Sequence, residues 1–182
     1  MLNKFVELEL STNEGIVLDK RMYSNEYLKK LTISLQKFND LFVLFDGLVP
    51  NLIILNVTIC QSDPCKQSPI PPQCWPRELM SHLVEFRLRT NENVIMTLNY
   101  FRAIVMPLIQ LQNFMIDLRK WFSHDQQFVQ GNQIEMLINK FMPQLRHFHC
   151  SIQTMDDIDM QVKIVLYIYQ WHQQNFFRVL QC

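Results

Sequence analysis

The sequence predicts an α/β coil, with a parallel sheet of about six strands on the inner face and helices outside. Three observations predict it. One short apolar pattern recurs six times along the chain. Between copies the spacing of apolar residues changes from two to that of a helix. Each well-formed helical stretch then meets a proline shortly before the next copy.

The recurring pattern is an apolar residue, two variable ones, a second apolar residue, then alternation. Its copies are Phe5-Val-Glu-Leu8-Glu-Leu10, Leu28-Lys-Lys-Leu31-Thr-Ile33-Ser-Leu35 and Leu52-Ile-Ile-Leu55-Asn-Val57-Thr-Ile59. Then follow Leu83-Val-Glu-Phe86-Arg-Leu88, Leu111-Gln-Asn-Phe114-Met-Ile116-Asp-Leu118 and Leu145-Arg-His-Phe148-His-Cys150-Ser-Ile152. The steps between them are 23, 24, 31, 28 and 34 residues. Alternation marks each copy as a strand with one buried face. Between copies, Phe38, Leu41, Phe42 and Phe45 fall on one helical face. So do Val94, Leu98, Phe101 and Val105, and Ile134, Leu137, Ile138 and Phe141. Pro50, Pro107 and Pro143 end these helices. Neither element buries its apolar face alone, so stacked neighbours must supply the partner. A doubly wound sheet is the runner-up. It wants purely apolar strands covered on both faces, whereas these alternate and leave one face wet.

Two stretches depart from the rhythm. Residues 60–78 hold Pro64, Pro69, Pro71, Pro72 and Pro76 and predict a long irregular loop in place of a helix. Residues 11–27 lack a clean helix. Residues 1–159 are thus expected to form the coil. Residues 160–182, apolar on nearly all sides, are expected to form a C-terminal helix that caps its open end.

Composition excludes several classes of function. The chain of 182 residues suits one domain. Its 17 basic and 17 acidic residues cancel, which argues against a nucleic-acid binder. Its 3 glycines, Gly15, Gly47 and Gly131, stand too far apart for a phosphate-cradling loop. No run approaches the roughly 20 apolar residues of a membrane span, and the N-terminus lacks a signal peptide's apolar core. A soluble protein of the cytoplasm or nucleus is expected, with its 5 cysteines as free thiols. The sequon Asn56-Val-Thr58 would then have no consequence.

The copies resemble the leucine-rich repeats of the ribonuclease-inhibitor-like type, L-x-x-L-x-L-x-x-N/C-x-L. The ninth position is Asn13, Gln36, Cys60, Asn91, Arg119 and Gln153, so three of six fit. In copies two, three, five and six an apolar eighth residue (Leu35, Ile59, Leu118, Ile152) prolongs the alternation and predicts longer strands. Val49-Pro-Asn-Leu-Ile-Ile-Leu55, Met142-Pro-Gln-Leu-Arg-His-Phe148 and the stretch 128–153 are similar to the divergent repeats attached to F-box domains. In that family the F-box recruits a ubiquitin-ligase adaptor and the repeats hold the substrate. No F-box is visible in this sequence, so an adaptor would be a partner only if one lay upstream.

In such a coil the polar residues between buried strand positions form rows on the concave face. Row one is Glu7, Lys30, Ile54, Glu85, Asn113 and His147. Row two is Glu9, Thr32, Asn56, Arg87, Met115 and His149. Row three is Ser11, Ser34, Thr58, Arg89, Asp117 and Ser151. A mixed polar face of this kind suits a protein or peptide ligand better than a small molecule. Arg87, Arg89, Asp117, Arg119, His147 and His149 are the expected anchors.

Other chemistry finds less support. His147 and His149 share a strand face and could reach one zinc ion, but Cys150 points the other way and no third ligand is near in sequence. Cys65 and Cys74 flank the proline loop with two ligands too few. Asp156, Asp157 and Asp159 read as caps for the expected final helix. Ser123-His-Asp125 reads as a polar turn, since triads assemble from distant segments. No catalytic residue, metal or cofactor is expected. A protein-interaction module, not an enzyme, is the function this sequence predicts; the alternatives are a substrate-receptor fragment of a ubiquitin ligase lacking its F-box and a degenerate repeat fragment without a function of its own.

Overall fold

The computed structural model describes residues 6–19, 21–60, 80–91, 97–121, 132–154, 163–171 and 174–181. They form eight strands and three helices. The strands are β1 (Val6–Leu10), β2 (Leu28–Leu35), β3 (Ile54–Ile59), β4 (Glu85–Thr90), β5 (Asn113–Trp121), β6 (His147–Thr154), β7 (Lys163–Trp171) and β8 (Gln174–Gln181). The helices are α1 (Phe38–Val43), α2 (Leu98–Val105) and α3 (Asn132–Phe141). The α1 helix widens into a π-helical turn, Leu44–Leu48, where Gly47 adopts φ 94°.

All eight strands lie in one sheet, in the order of the chain. The first six are parallel; β6, β7 and β8 pair antiparallel. A doubly wound sheet would reverse its strand order at a switch point. This one does not.

Copies three to six of the sequence pattern repeat the same hydrogen bonds. The N–H groups of Leu52, Leu83, Leu111 and Leu145 donate to the carbonyl three residues back, at 3.1–3.2 Å. Those four leucines are at most 1% exposed. The carbonyl of Ile53 accepts from both Val84 and Glu85. The Val84 carbonyl accepts from Gln112 and Asn113, and that of Gln112 from Arg146 and His147. The tight turn before each of β3–β6 therefore seats a leucine in the core and hands the chain to the preceding strand's edge.

One face of the parallel sheet packs on the helices. Leu31, Ile33, Leu35, Leu55, Val57, Ile59, Phe86, Leu88, Phe114, Ile116, Leu118, Phe148 and Ile152 are buried against Leu41, Phe45, Phe101, Ile104, Ile134 and Ile138. Phe86, Phe114 and Phe148 form an aromatic spine across β4–β6, with ring centroids 5.4 and 5.5 Å apart. Phe45 meets the spine edge-on at 5.9 Å, and Phe101 stacks on Phe114 at 6.3 Å. Aromatic pairs at such spacing add roughly 0.5–1.5 kcal/mol beyond their buried area. Phe38 and Phe42 of α1 reach Tyr100 of α2 at 6.0 and 6.1 Å.

Asp40 ties the N-terminal segment to this body. Its carboxylate accepts from the Leu18 N–H at 3.0 Å and the Lys37 N–H at 2.9 Å, capping α1 and pinning the chain beside it. Gly15, at φ 78°, lets the same segment lie against the end of β2. A Cβ there would sit 2.5 Å from the Leu35 carbonyl carbon and the Gln36 nitrogen.

The structure corrects the expected end of the chain. Residues 163–171 and 174–181 are strands, not a capping helix. A continuously apolar run carries no period, so periodicity cannot choose between the two. Lys163-Ile-Val-Leu-Tyr-Ile-Tyr-Gln170 is β-branched and aromatic, which favours the strand. Of the four copies expected to form long strands, β2, β5 and β6 reach 8, 9 and 8 residues, while β3 stops at 6. Val94, the proline loop beyond Cys60, Ser123-His-Asp125 and the Asp156–Asp159 cluster lie outside the described residues. No helix among the described residues is long and apolar enough to cross a membrane.

Candidate functional site

The face of the sheet away from the helices carries the polar rows. Alternation turns every second side chain outward, and strand register aligns these residues across the sheet. Glu7, Lys30, Ile54, Glu85, Asn113 and His147 pair in succession. So do Glu9, Thr32, Asn56, Arg87, Met115 and His149. Ser34, Thr58, Arg89, Asp117 and Ser151 form the third row. Ser11 lies past the end of β1, yet its Oγ is 3.3 Å from that of Ser34. These are the rows that the alternation predicts.

Charge is unevenly spread along them. At the β1 end Glu7 pairs with Lys30, and Glu9 lies opposite the uncharged Thr32. Across β4 and β5, Arg87 pairs with Glu85 at 2.8 Å, while Arg89 and Arg119 both approach Asp117, at 3.5 and 3.3 Å. Three guanidinium groups thus face two carboxylates. With parallel strands about 4.8 Å apart, β1 and β4 are separated by roughly 14 Å. That exceeds the screening length of about 8 Å at physiological salt, so a ligand meets an acidic end and a basic region separately.

A cleft of about 200 Å³ opens over β4–β6, lined by Glu85–Arg87, Asn113–Met115 and His147–His149. Phe86, Phe114 and Phe148 are at most 2% exposed, so what they present to the cleft is backbone. Their rings, stacked beneath, fix the spacing of the floor. The walls are side chains of rows one and two. Next to this cleft, Asn56 donates to Thr32 Oγ1 at 3.2 Å. Its own Oδ1 is shielded from solvent and accepts no hydrogen bond among the described residues. An acceptor left in that state costs free energy until a donor reaches it.

The expected anchors therefore divide into two groups. Arg87, His147 and His149 surround the cleft. Arg89, Asp117 and Arg119 form an ion cluster one row further along. Thr90 positions Arg119: its buried Oγ1 accepts from the Arg119 N–H at 2.9 Å and lies 3.5 Å from the Arg119 carbonyl. That stitch extends β4–β5 pairing past Arg89 and Asp117. Its signal in the sequence is a threonine where other copies carry Leu35, Ile59, Leu118 or Ile152. Glu85, Asn113 and Met115 complete the cleft; their rows are legible, but not that these three share a cavity.

Immediately after His149, Cys150 is turned into the core. Burial first, and the Asp117 carboxylate second, push its thiol up to about 12. Cys60 is also raised, by burial, and is only weakly tied: its thiol lies 3.7 Å from the Thr12 carbonyl, and Asn91 approaches its sulfur at 3.9 Å. Neither has the electropositive, open setting of a reactive cysteine. No group of three or more His, Cys, Asp or Glu side chains comes together among the described residues in a way that could hold a metal.

No protein-family model, curated protein or solved structure matches the chain.

Proposed function

We propose that this chain is a leucine-rich-repeat-type solenoid that acts as a protein-interaction module. It captures an extended peptide or loop of a partner protein on the polar face of its parallel sheet. The observation that carries the reading is the alignment of three polar rows over a rigid aromatic spine, with a cleft and a cationic excess at β4–β6. Six strands in chain order, with recurring turn hydrogen bonds, support the repeat architecture.

The ligand this surface suits carries a carboxylate. Arg87, Arg89 and Arg119 outnumber Glu85 and Asp117, and charge complementarity of this kind selects partners and orients their approach. The shallow cleft seats one side chain, with the histidines at its rim.

Affinity capture with the wild-type chain and with an Arg87→Glu/Arg89→Glu variant, read by mass spectrometry, tests this. Both arginines are more than half exposed, so the variant is expected to melt as the wild type does. Captured partner should fall at least about tenfold, the equivalent of roughly 1.4 kcal/mol. An unchanged partner set in the folded variant would sink the proposal. A role as the substrate-holding part of a ubiquitin ligase would be one case of this function.

A further inference from the structure

Seven of the nine large apolar residues exposed among the described residues fall in the first 27 positions. Three of them are the core-facing positions of β1: Val6, Leu8 and Leu10 are 38–39% exposed, while their neighbours Leu31 and Ile33 on β2 are 2–3% exposed. The cause is local. β1 is the first strand of the sheet and, among the described residues, pairs only with β2, so no described strand lies beside the backbone groups along its other edge. An apolar, alternating edge of this kind is a template for one more strand.

The polar face of β1 says which strand. Any partner that continues the apolar face must place its own outward residues beside Glu7 and Glu9. A second copy of β1 fails this requirement. Every self-pairing that keeps Val6, Leu8 and Leu10 on the apolar side sets Glu7 or Glu9 against Glu7 or Glu9, in either direction, and like charges directly opposite oppose pairing. The inner side of β1 shows the arrangement that works, where Lys30 of β2 pairs with Glu7.

We propose that the outer edge of β1 is a second docking edge. It takes an extended segment of a partner protein in which apolar residues alternate with lysine or arginine. The glutamates have two effects here. They attract the basic strand and oppose pairing of β1 with a second copy of β1. This edge is separate from the β4–β6 cleft and opposite to it in the charge it selects.

The test is a titration of the isotopically labelled full chain, followed by amide NMR, with two acetylated peptides, Val-Lys-Val-Lys-Val-Lys-Val and its glutamate counterpart. The lysine peptide is expected to shift the amides of Val6–Leu10 saturably and to slow their hydrogen exchange. The glutamate peptide should bind at least about tenfold more weakly. A Glu7→Lys/Glu9→Lys variant should reverse that order, and the milder Glu9→Gln should narrow it. The wild-type comparison decides the matter even if a variant fails to fold. Equal binding of the two peptides, no response in β1, or a wild-type dimer paired through β1 in sedimentation and NMR would each overturn the proposal.

Discussion

The interior of the parallel sheet and its β1 margin have the same sequence pattern and very different burial. In β4 the core-facing residues Phe86 and Leu88 are at most 1% exposed; in β1 the equivalent Leu8 and Leu10 remain more than a third exposed. Alternation decides which face a side chain takes. How deeply it is buried depends on strands on both sides and a helix above. β4 has β3 and β5 as neighbours. β1 has one neighbour, and the described residues between it and β2 contain no helix. The result is a rigid interior that can support a recognition surface and a margin that is open to further pairing.

The largest expected difference is between core deletions on the two sides. Phe114→Ala removes the ring that Phe86, Phe101 and Phe148 pack against and should cost about 3–5 kcal/mol. Leu8→Ala, at a site already 39% exposed, should cost less than about 1.5 kcal/mol. Urea unfolding of the two variants checks the contrast, and similar losses would contradict it.

Next in size is Gly15→Ala. The left-handed φ alone costs about 1–2 kcal/mol in a residue with a side chain, and the backbone of Leu35 and Gln36 leaves no room for a Cβ. About 2–4 kcal/mol of local stability should be lost. Hydrogen exchange should accelerate in β1 and residues 16–18 while β4–β6 stay protected. Uniform acceleration would mean that the margin and interior unfold as one unit.

The smallest effect near neutral pH is that of Cys150. Its thiol is raised in the folded chain from 9.0 to about 12, so the folded state holds that proton more tightly than the unfolded one. The stability linked to it is therefore complete below pH 9 and is lost as pH climbs toward 12. The loss should reach about 1.4 kcal/mol by pH 10. Cys150→Val should lack this alkaline slope, measured as the difference between the two proteins' melting curves at pH 8 and pH 10. Identical slopes would show that the thiol titrates freely.

Much of this architecture was legible in the residues. Strand positions, the polar rows and the inward turn of Cys150 follow from alternation, because one face of each strand is wet. Helical spacing located α1, α2 and α3. Three features were not legible. The Ile164–Tyr169 run carries no period, and its β-branched and aromatic content outweighed the helical expectation. The exposure of Val6, Leu8 and Leu10 depends on neighbours that a local pattern does not encode. The division of the anchors, with Arg87 at the cleft and Arg89 drawn to Asp117, follows from ion-pair geometry between adjacent strands.

The most direct test of the account is the pattern of cross-strand proton contacts in the amide NMR spectrum along row two. Backbone nuclear Overhauser effects should connect Asn56 with Arg87, Arg87 with Met115, and Met115 with His149, with none skipping a strand. Contacts joining β3 directly to β5, or their absence between β4 and β5, would contradict the ordered sheet and remove the surface built on it.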